Sequence, residues 1–540
     1  MKNHCRIRPN LQLEPLSNQW YVSLPMLAPI PHAMVISSSY IPIMESYVEA
    51  PEEHLSLSQD LSMVGGPFIN YDIDRSKEIS QLLEHIKSSQ KHLIELSSAI
   101  KSFALKLNSC ANGFSLESEY NNIPDILKGY VELVYDMSNR PSMRFIEPLL
   151  YKSKYYSLNT QSVCCSLVNE DKRPFVLSTP RLLDDSRLQI NLPFKSQYYD
   201  DLCRMREIPD SFSNIIEKLN VPSDKINLFE SFIEFTNSSR ESADYKGKEI
   251  RIRYFGHACL LIEYGGISIL TDPFISYDYP TENQRFTFSD LPSSIDYVLI
   301  THGHLDHIVL ETLLQLRYKI KNIVVPKNSG SIYADPSLKL LLHHLGFSSV
   351  IEVDELDEIS INQDVQIAAM PFLGEHHDLN IKAKVAYFLT IQDKKIYIAA
   401  DSSNLDPFLY DHIRDLYGRI DVLFLGMECD GAPLSWFYGP LMPEKLDRDK
   451  DYSRQGSGSD FKKAIAIVDS LEPSEIYVYA MGMEPWFTYV LGLNYEKNSK
   501  QILESDQFIK ECNRRGIQSE RLFMKKELIL ELSEGKKQVA

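Results

Sequence analysis

Two regimes of hydrophobic patterning divide the chain. Within 74–109, Ile79, Leu82, Leu83, Ile86, Leu93, Leu96, Ile100 and Leu105 recur at the intervals that line one face of a helix. The spacing predicts one long amphipathic helix there. Shorter helices are expected over 125–138 and 208–219, the latter with Pro209 in its first turn, where a missing N–H is no loss. Extended runs at 175–177 and 188–192 flank a Pro-containing turn. The Pro-, Ser- and Met-rich stretch before Asp74 reads as irregular chain with short strands.

Past a polar, charged linker over 238–248 the period changes. Strand-like runs rich in Val, Ile and Tyr fall at 250–254, 260–264, 267–270, 297–300, 322–325, 350–353, 365–370, 385–390, 396–399, 422–425 and 476–479. Helices are expected at 308–318, 336–345, 405–416, 460–471 and 500–514. Strands come first in hairpins, one joined at Gly265-Gly266, and later alternate with helices, which predicts two sheets sandwiched between helices. The expected organisation is therefore an α/β chain with a mixed α+β domain over 1–240 and a sandwich domain over 249–540.

Composition narrows the function classes. The 540 residues carry 56 Lys+Arg against 74 Asp+Glu, a net charge of −18. That balance argues against sequence-independent nucleic-acid binding, which needs clustered positive charge. No run approaches the ~18 apolar residues of a membrane span. The basic residues Lys2, Arg6 and Arg8 are followed by polar positions and not by an apolar stretch, so no secretion signal is expected and the cytoplasm is the expected location. Eight scattered cysteines, among them the vicinal pair Cys164 and Cys165 but no C-x-x-C, read as reduced core thiols.

The chemistry concentrates at the end of the strand predicted over 297–300, where residues 301–307 read THGHLDH. Three His and one Asp within six residues have no packing purpose. His302 and His304 alternate at period two and can reach one metal ion, while Asp306 and His307, at the turn into the next helix, can reach a second. Imidazole with carboxylate suits Zn, Fe or Mn.

H-x-H-x-D-H resembles the metallo-β-lactamase superfamily, whose αββα sandwich holds one or two metals. RYFGHACLLIEYGGISILTDP, ending in Asp272 and Pro273, is similar to that fold's opening hairpin. KIYIAAD ends in Asp401, which matches the superfamily's metal-bridging Asp. Two departures bear on function. The loop that supplies another metal-binding His in superfamily hydrolases reads PFLGEHHDL here, offering Glu375, His376 and His377. The region of the final His reads GMECDGAPLSWFYGPL, with Glu428, Cys429 and Asp430 but no His. If Glu375 binds, one metal has His302, His304 and Glu375, a 2-His-1-carboxylate set suited to oxygen activation, and the other has Asp306 and His307, with Asp401 bridging. If His376 binds, the site is closer to a dizinc hydrolase of a phosphodiester, lactone or amide. Spacing alone does not separate the two.

GEHHDLNIKAKVAYFL, AADSSNLDPFLYDHI, GMECDGAPLSWFYGPL and the N-terminal RIRPNLQLEPLSNQWY resemble the diiron β-hydroxylase family represented in chloramphenicol biosynthesis, over almost the whole chain. The resemblance implies iron ligands at His302, His304, Asp306, His307, Glu375 and Asp401. It also implies two Fe ions, O2 as co-substrate and an external electron donor. The expected reaction is β-hydroxylation of an aminoacyl group tethered to a carrier domain of a nonribosomal peptide synthetase, a step of antibiotic biosynthesis. A dimerisation role for the N-terminal domain follows, hence a homodimer. No flavin or nicotinamide fingerprint is recognisable, so a separate reductase is expected.

Around the ligands, His257, Asp272, His376, His377 and Asp430 are candidate supporting residues, with Glu428 a further carboxylate. Trp436, Phe437 and Tyr438 offer an aromatic wall for substrate. The charged segment 443–460, with Arg448 and Arg454, is a candidate docking surface for an acidic carrier domain.

Overall fold

In the computed structural model, which describes residues 3–60, 63, 65–109, 112–330 and 333–533, two seven-stranded sheets face one another. The first runs Val350–Val353, Ile320–Pro326, Ile295–Leu299, Ile267–Thr271, Cys259–Tyr264, Ile250–Gly256 and Lys526–Leu530. The second runs Glu358–Ser360, Val365–Met370, Ala386–Ile391, Lys394–Ile398, Val422–Gly426, Glu475–Tyr479 and Gln518–Arg521. In each, an antiparallel hairpin region passes into parallel strands: Ile267–Thr271 pairs in parallel with Ile295–Leu299, and Lys394–Ile398 with Val422–Gly426. Ile252, Leu260, Ile269 and Leu299 of one sheet meet Ile367, Leu389, Ile398 and Phe424 of the other in a common core. The helices Leu310–Leu316 and Leu338–His344 cover the outer face of the first sheet, and Phe408–Tyr417, Phe461–Leu471 and Lys500–Arg514 that of the second. This is the αββα sandwich.

The N-terminal part packs against the first sheet's helices. Its four-stranded sheet places the fully buried strand Leu11–Ser17 between Trp20–Tyr21 and Gln161–Leu167. A buried charge network crosses the junction. Glu14 accepts from Arg173 (2.6 Å) and Arg181 (3.1 Å), and Arg173 also donates to Glu311 (2.9 Å) while lying over the Tyr489 ring. Tyr277 donates to Glu311 at 2.6 Å.

Several sequence expectations change. The single helix over 74–109 is two, Ser76–Ser89 and Lys91–Ser109, because the Ser88 and Ser89 hydroxyls bond back to the carbonyls of Glu84 and His85 and compete with the helical ladder before Gln90. The helix expected over 125–138 gives way to the strand Val131–Tyr135, paired with Pro141–Phe145 across a turn in which Asp136 accepts from the backbone N–H groups of Ser138 and Arg140. The stretch before Asp74 holds short strands, His4–Ile7, Leu11–Ser17 and Trp20–Tyr21, as expected, but then runs into helices, Pro29–Val35, Ile41–Glu49 and Pro51–Ser58, where irregular chain was expected. The run at 175–177 is a turn, and the helix expected from 208 begins at Phe212. The edge strands Gln518–Arg521 and Lys526–Leu530 were not anticipated. The seven cysteines among the described residues are free and buried; Cys110 lies outside them.

Candidate metal centre

Side chains converge where strands of both sheets end. Residues there hold backbone conformations that L-residues rarely adopt: φ is +48° at His257, +33° at Asp272 and +49° at Ala400. Such strain persists where the surroundings over-determine it, and it clusters at functional sites. A Cβ at Gly426 would lie 2.7 Å from the Ala400 carbonyl and 2.9 Å from Asp401 Oδ1, so only glycine lets the next strand pass behind Asp401.

Asp272 organises the THGHLDH turn from below. It accepts from Thr301 N–H (2.8 Å) and Thr301 Oγ1 (2.7 Å), and its Oδ2 lies 2.8 Å from His307 Nδ1. With Nδ1 of His307 donating to that carboxylate, Nε2 is left as a lone-pair donor toward the site. His307 Nε2 is 2.8 Å from Asp401 Oδ2, and His302 Nε2 reaches the same oxygen at 3.6 Å. Asp401 thus stands between two donor groups. In one, His304 Nδ1 lies 3.0 Å from Glu375 Oε1, beside His302. In the other, Asp306 Oδ2 lies 3.7 Å from His307 Nε2 and 2.9 Å from His257 Nε2. Within each group the donor atoms all fall within 4.8 Å of one another.

These atoms are starved of partners. Nε2 of His302 and His376, Glu375 Oε2, Asp401 Oδ1 and His257 Nδ1 are buried without a hydrogen bond, and the approaches of His257 Nε2 to Asp306 and of His307 Nε2 to Asp401 are ion-pair contacts without hydrogen-bond geometry. Orphaned buried donors and acceptors are expensive, and cations at the two groups would satisfy those that belong to them; the residues fit a dinuclear metal centre. Electrostatics agree. Burial favours the neutral imidazole at His302, and the neighbouring His307 and His304 push the same way, which leaves its lone pair free. Burial opposes charge on His307, but Asp401, Asp306 and Asp272 outweigh it and raise its pKa, so the carboxylates favour a positive charge at this ring, which a cation would supply in place of the Nε2 proton. Glu428 is pushed well above the carboxylate range by burial and then by Glu375, Asp401 and Asp306, so it faces the same cluster as a fourth carboxylate.

Glu375 sits on a strained strap. Gly374, Glu375, His376, His377 and Asp378 all have positive φ, between +51° and +83°. Each of the four L-residues pays roughly 1 kcal/mol or more for it. His376 and His377 belong to neither donor group among the described residues. His376 Nδ1 is 2.7 Å from the Tyr438 hydroxyl, which also lies 3.3 Å from His304 Nε2, and His377 Nδ1 is 2.7 Å from the Arg454 carbonyl. Asp430, expected beside the centre, turns outward to an ion pair with Lys500 at 2.7 Å. Arg454, expected on a docking surface, turns inward onto the strap, and Lys450 is paired with Asp447 at 3.0 Å. Phe437, 37% exposed, stacks on His304 with centroids 4.9 Å apart and planes 10° from parallel. Two residues carried no sequence signal: Lys384, whose Nζ donates to the Gly374 carbonyl, and Tyr495, whose buried hydroxyl lacks a partner and feels Glu428 and Asp401.

Residues 6–236 match a family model described as the diiron non-heme beta-hydroxylase N-terminal domain, and 268–436 one for the beta-lactamase superfamily domain. The chain is 36% identical over 531 residues to the 4-amino-L-phenylalanyl-[CmlP-peptidyl-carrier-protein] 3-hydroxylase of Streptomyces venezuelae, covering 97% of this chain and 99% of that one. The crystal structure of CmlA, a diiron beta-hydroxylase from Streptomyces venezuelae, superposes with a TM-score of 0.91 at 35% identity, over 98% of this chain and 100% of that chain. A UPF0173 protein of Pyrococcus abyssi is 27% identical over 176 residues, 33% of this chain and 69% of its own.

Proposed function

The chain belongs to the diiron non-heme β-hydroxylase family and is a diiron hydroxylase, and from that premise we propose that it inserts one oxygen atom of O2 at the β-carbon of an aminoacyl group held on a peptidyl carrier domain. The family relationship spans the chain, whereas the similarity to the UPF0173 protein covers a third of it, so the hydrolase reading is set aside.

Under this reading His302, His304 and Glu375 hold one iron, Asp306 and His307 the other, and Asp401 lies between them. The observation that carries it is the 3.0 Å approach of the Glu375 carboxylate to His304 Nδ1, where superfamily hydrolases place an imidazole. Two iron ions at these groups supply the electron transfer to O2 that an unactivated C–H bond requires. Overall, O2, R–H, two electrons and two protons give R–OH and water.

The remaining work falls to the polypeptide. Asp272 fixes the tautomer of His307. The Tyr438 hydroxyl accepts from Nε2–H of His304 and donates to Nδ1 of His376, which leaves His304 Nδ1 for the metal side. Phe437 walls the site beside His304 and excludes water. His257 supports Asp306 at 2.9 Å. Electrons arrive from a separate reductase, the N-terminal part mediates a homodimer, and the enzyme works in the cytoplasm alongside a nonribosomal peptide synthetase. Among the described residues no helix is long and apolar enough to cross a membrane.

The test is direct. Protein grown with both iron and zinc is analysed for metal, reduced without oxygen, mixed with an aminoacyl-loaded carrier domain and exposed to air. Two irons per chain and a hydroxylated product are expected. Bound zinc, or full iron loading with unchanged substrate mass, overturns the proposal.

A further inference from the structure

The strap that carries Glu375 has little backbone support of its own. From Gly374 to Asp378 every φ is positive, and the hydrogen bond that closes the segment runs from Leu379 N–H to the His376 carbonyl. Its two ends are held by cations from different parts of the chain. Lys384 Nζ donates to the Gly374 carbonyl at 2.5 Å. Arg454 donates to the His377 carbonyl through Nε at 3.0 Å and Nη2 at 2.6 Å, while its own carbonyl lies 2.7 Å from His377 Nδ1.

Both cations are anchored at the site. Lys384 bridges to His302 in the backbone register and lies over the Phe372 ring. The Arg454 segment is tied to the turn after Glu428: Gly431 N–H donates to the Gly456 carbonyl at 2.6 Å, and Gly456 N–H to the Ala432 carbonyl at 3.0 Å. Gly374 cannot be replaced in this arrangement, since a Cβ there would lie 2.5 Å from the Ser403 Cβ. A carbonyl held by a charged donor accepts a stronger hydrogen bond than one held by a neutral amide. The two carbonyls so held belong to the residues at positions −1 and +2 from Glu375. Released from those donors, L-residues at positive φ relax toward the ordinary region, and the carboxylate swings with them.

We propose that Lys384 and Arg454 are positioning residues that clasp the strap Gly374–Asp378 at both ends and hold the Glu375 carboxylate in its metal-binding orientation. The inference rests on the reading of Glu375 as an iron ligand. It assigns Arg454 to the interior of the site and removes it from any carrier-docking role.

The experiment compares Arg454→Met, Arg454→Lys, Lys384→Met and Glu375→Ala with the wild type. Metal-free proteins are titrated with Fe(II) under argon, and amide hydrogen exchange is followed across residues 374–379, including the bonded Leu379 N–H, before iron is added. Arg454→Met and Lys384→Met should each weaken one of the two irons by about tenfold or more, the range seen when groups supporting metal ligands are removed, and should speed exchange in the strap. Arg454→Lys should restore part of both. Glu375→Ala should lose that same iron while its strap exchanges as in the wild type. If both clasp variants bind two irons with wild-type affinity and exchange normally while Glu375→Ala loses one, the clasp is overturned and the ligand assignment stands. If Glu375→Ala itself binds both irons normally, the ligand assignment falls and the clasp with it. Should Arg454→Met fail to fold, Arg454→Lys and Lys384→Met decide in the same terms.

Discussion

Oε1 of Glu375 lies 3.0 Å from Nδ1 of His304, while the ring of the adjacent His376 is bonded through Nδ1 to Tyr438. The carboxylate, and not the neighbouring imidazole, shares a donor group with His302 and His304, and the proposal that it binds iron there is open to test. Glu375→Ala is expected to lower hydroxylation by about 100-fold or more, with one iron lost per chain. Metal analysis alongside single-turnover product mass checks it; full iron loading and normal product would remove the carboxylate from the centre.

The Tyr438 hydroxyl links His304 and His376 in one hydrogen-bonded chain. Tyr438→Phe keeps the ring and deletes the link, which leaves buried nitrogens without a partner. That should lower stability by about 1–2 kcal/mol. Iron loading should survive and turnover should fall less than in Glu375→Ala. Thermal unfolding with iron quantified on the same sample separates these outcomes, and an unaltered melting temperature would contradict the link.

The chemistry was legible where it is contiguous. THGHLDH delivers four side chains from one strand end, and Asp272 and Asp401 follow strands whose Ile-containing runs stand out. What sequence could not supply is contact across the chain. Lys384 looks like any surface lysine until the fold sets it against Gly374, and Arg454 looks like part of a charged loop until it meets His377. Glu375 and His376 are adjacent and both buried on a strap of positive-φ backbone, so spacing does not separate them; only the three-dimensional grouping of Glu375 with His302 and His304 does. The N-terminal part was read less well for the same reason. Short strands were expected before Asp74, but LQLEPLS, with Pro15 inside it, does not mark Leu11–Ser17 as a fully buried one, because its partner, Gln161–Leu167, comes from about 150 residues away.

Glu14 is the acid at the centre of the junction between the two parts. Burial alone would raise its pKa, but Arg181 and Arg173 outweigh that and hold it at about 2, against an ordinary value of 4.5. A carboxyl depressed on folding contributes stability above its unfolded pKa and loses it as pH falls from about 4.5 toward 2. Glu14→Ala leaves Arg181 with backbone carbonyls alone and Arg173 with Glu311 as its one carboxylate, and should cost about 3 kcal/mol at neutral pH. Denaturant unfolding measured near neutrality and near pH 3 checks both statements. A penalty that does not shrink in acid would contradict the depressed pKa.

Glu147 gives the opposite sign. Burial raises its pKa to about 7, the Ser337 N–H bonded at 3.1 Å partly offsets this, and the Asp335 carboxylate adds to the rise. Between about 4.5 and 7 the folded protein therefore binds a proton that the unfolded chain has released. Stability from this group falls as pH climbs through that window, and above it the folded state carries a buried charge costing on the order of 2 kcal/mol. Glu147→Gln keeps an acceptor for Ser337 and removes the charge. It should match the wild type near pH 5 and exceed it in stability near pH 8, by up to the same order of magnitude. Because Glu147 is remote in sequence from every proposed iron ligand, the comparison can be run on iron-loaded protein with metal content held equal. A variant that is no more stable than the wild type in alkali would show that the carboxyl titrates as an ordinary surface acid.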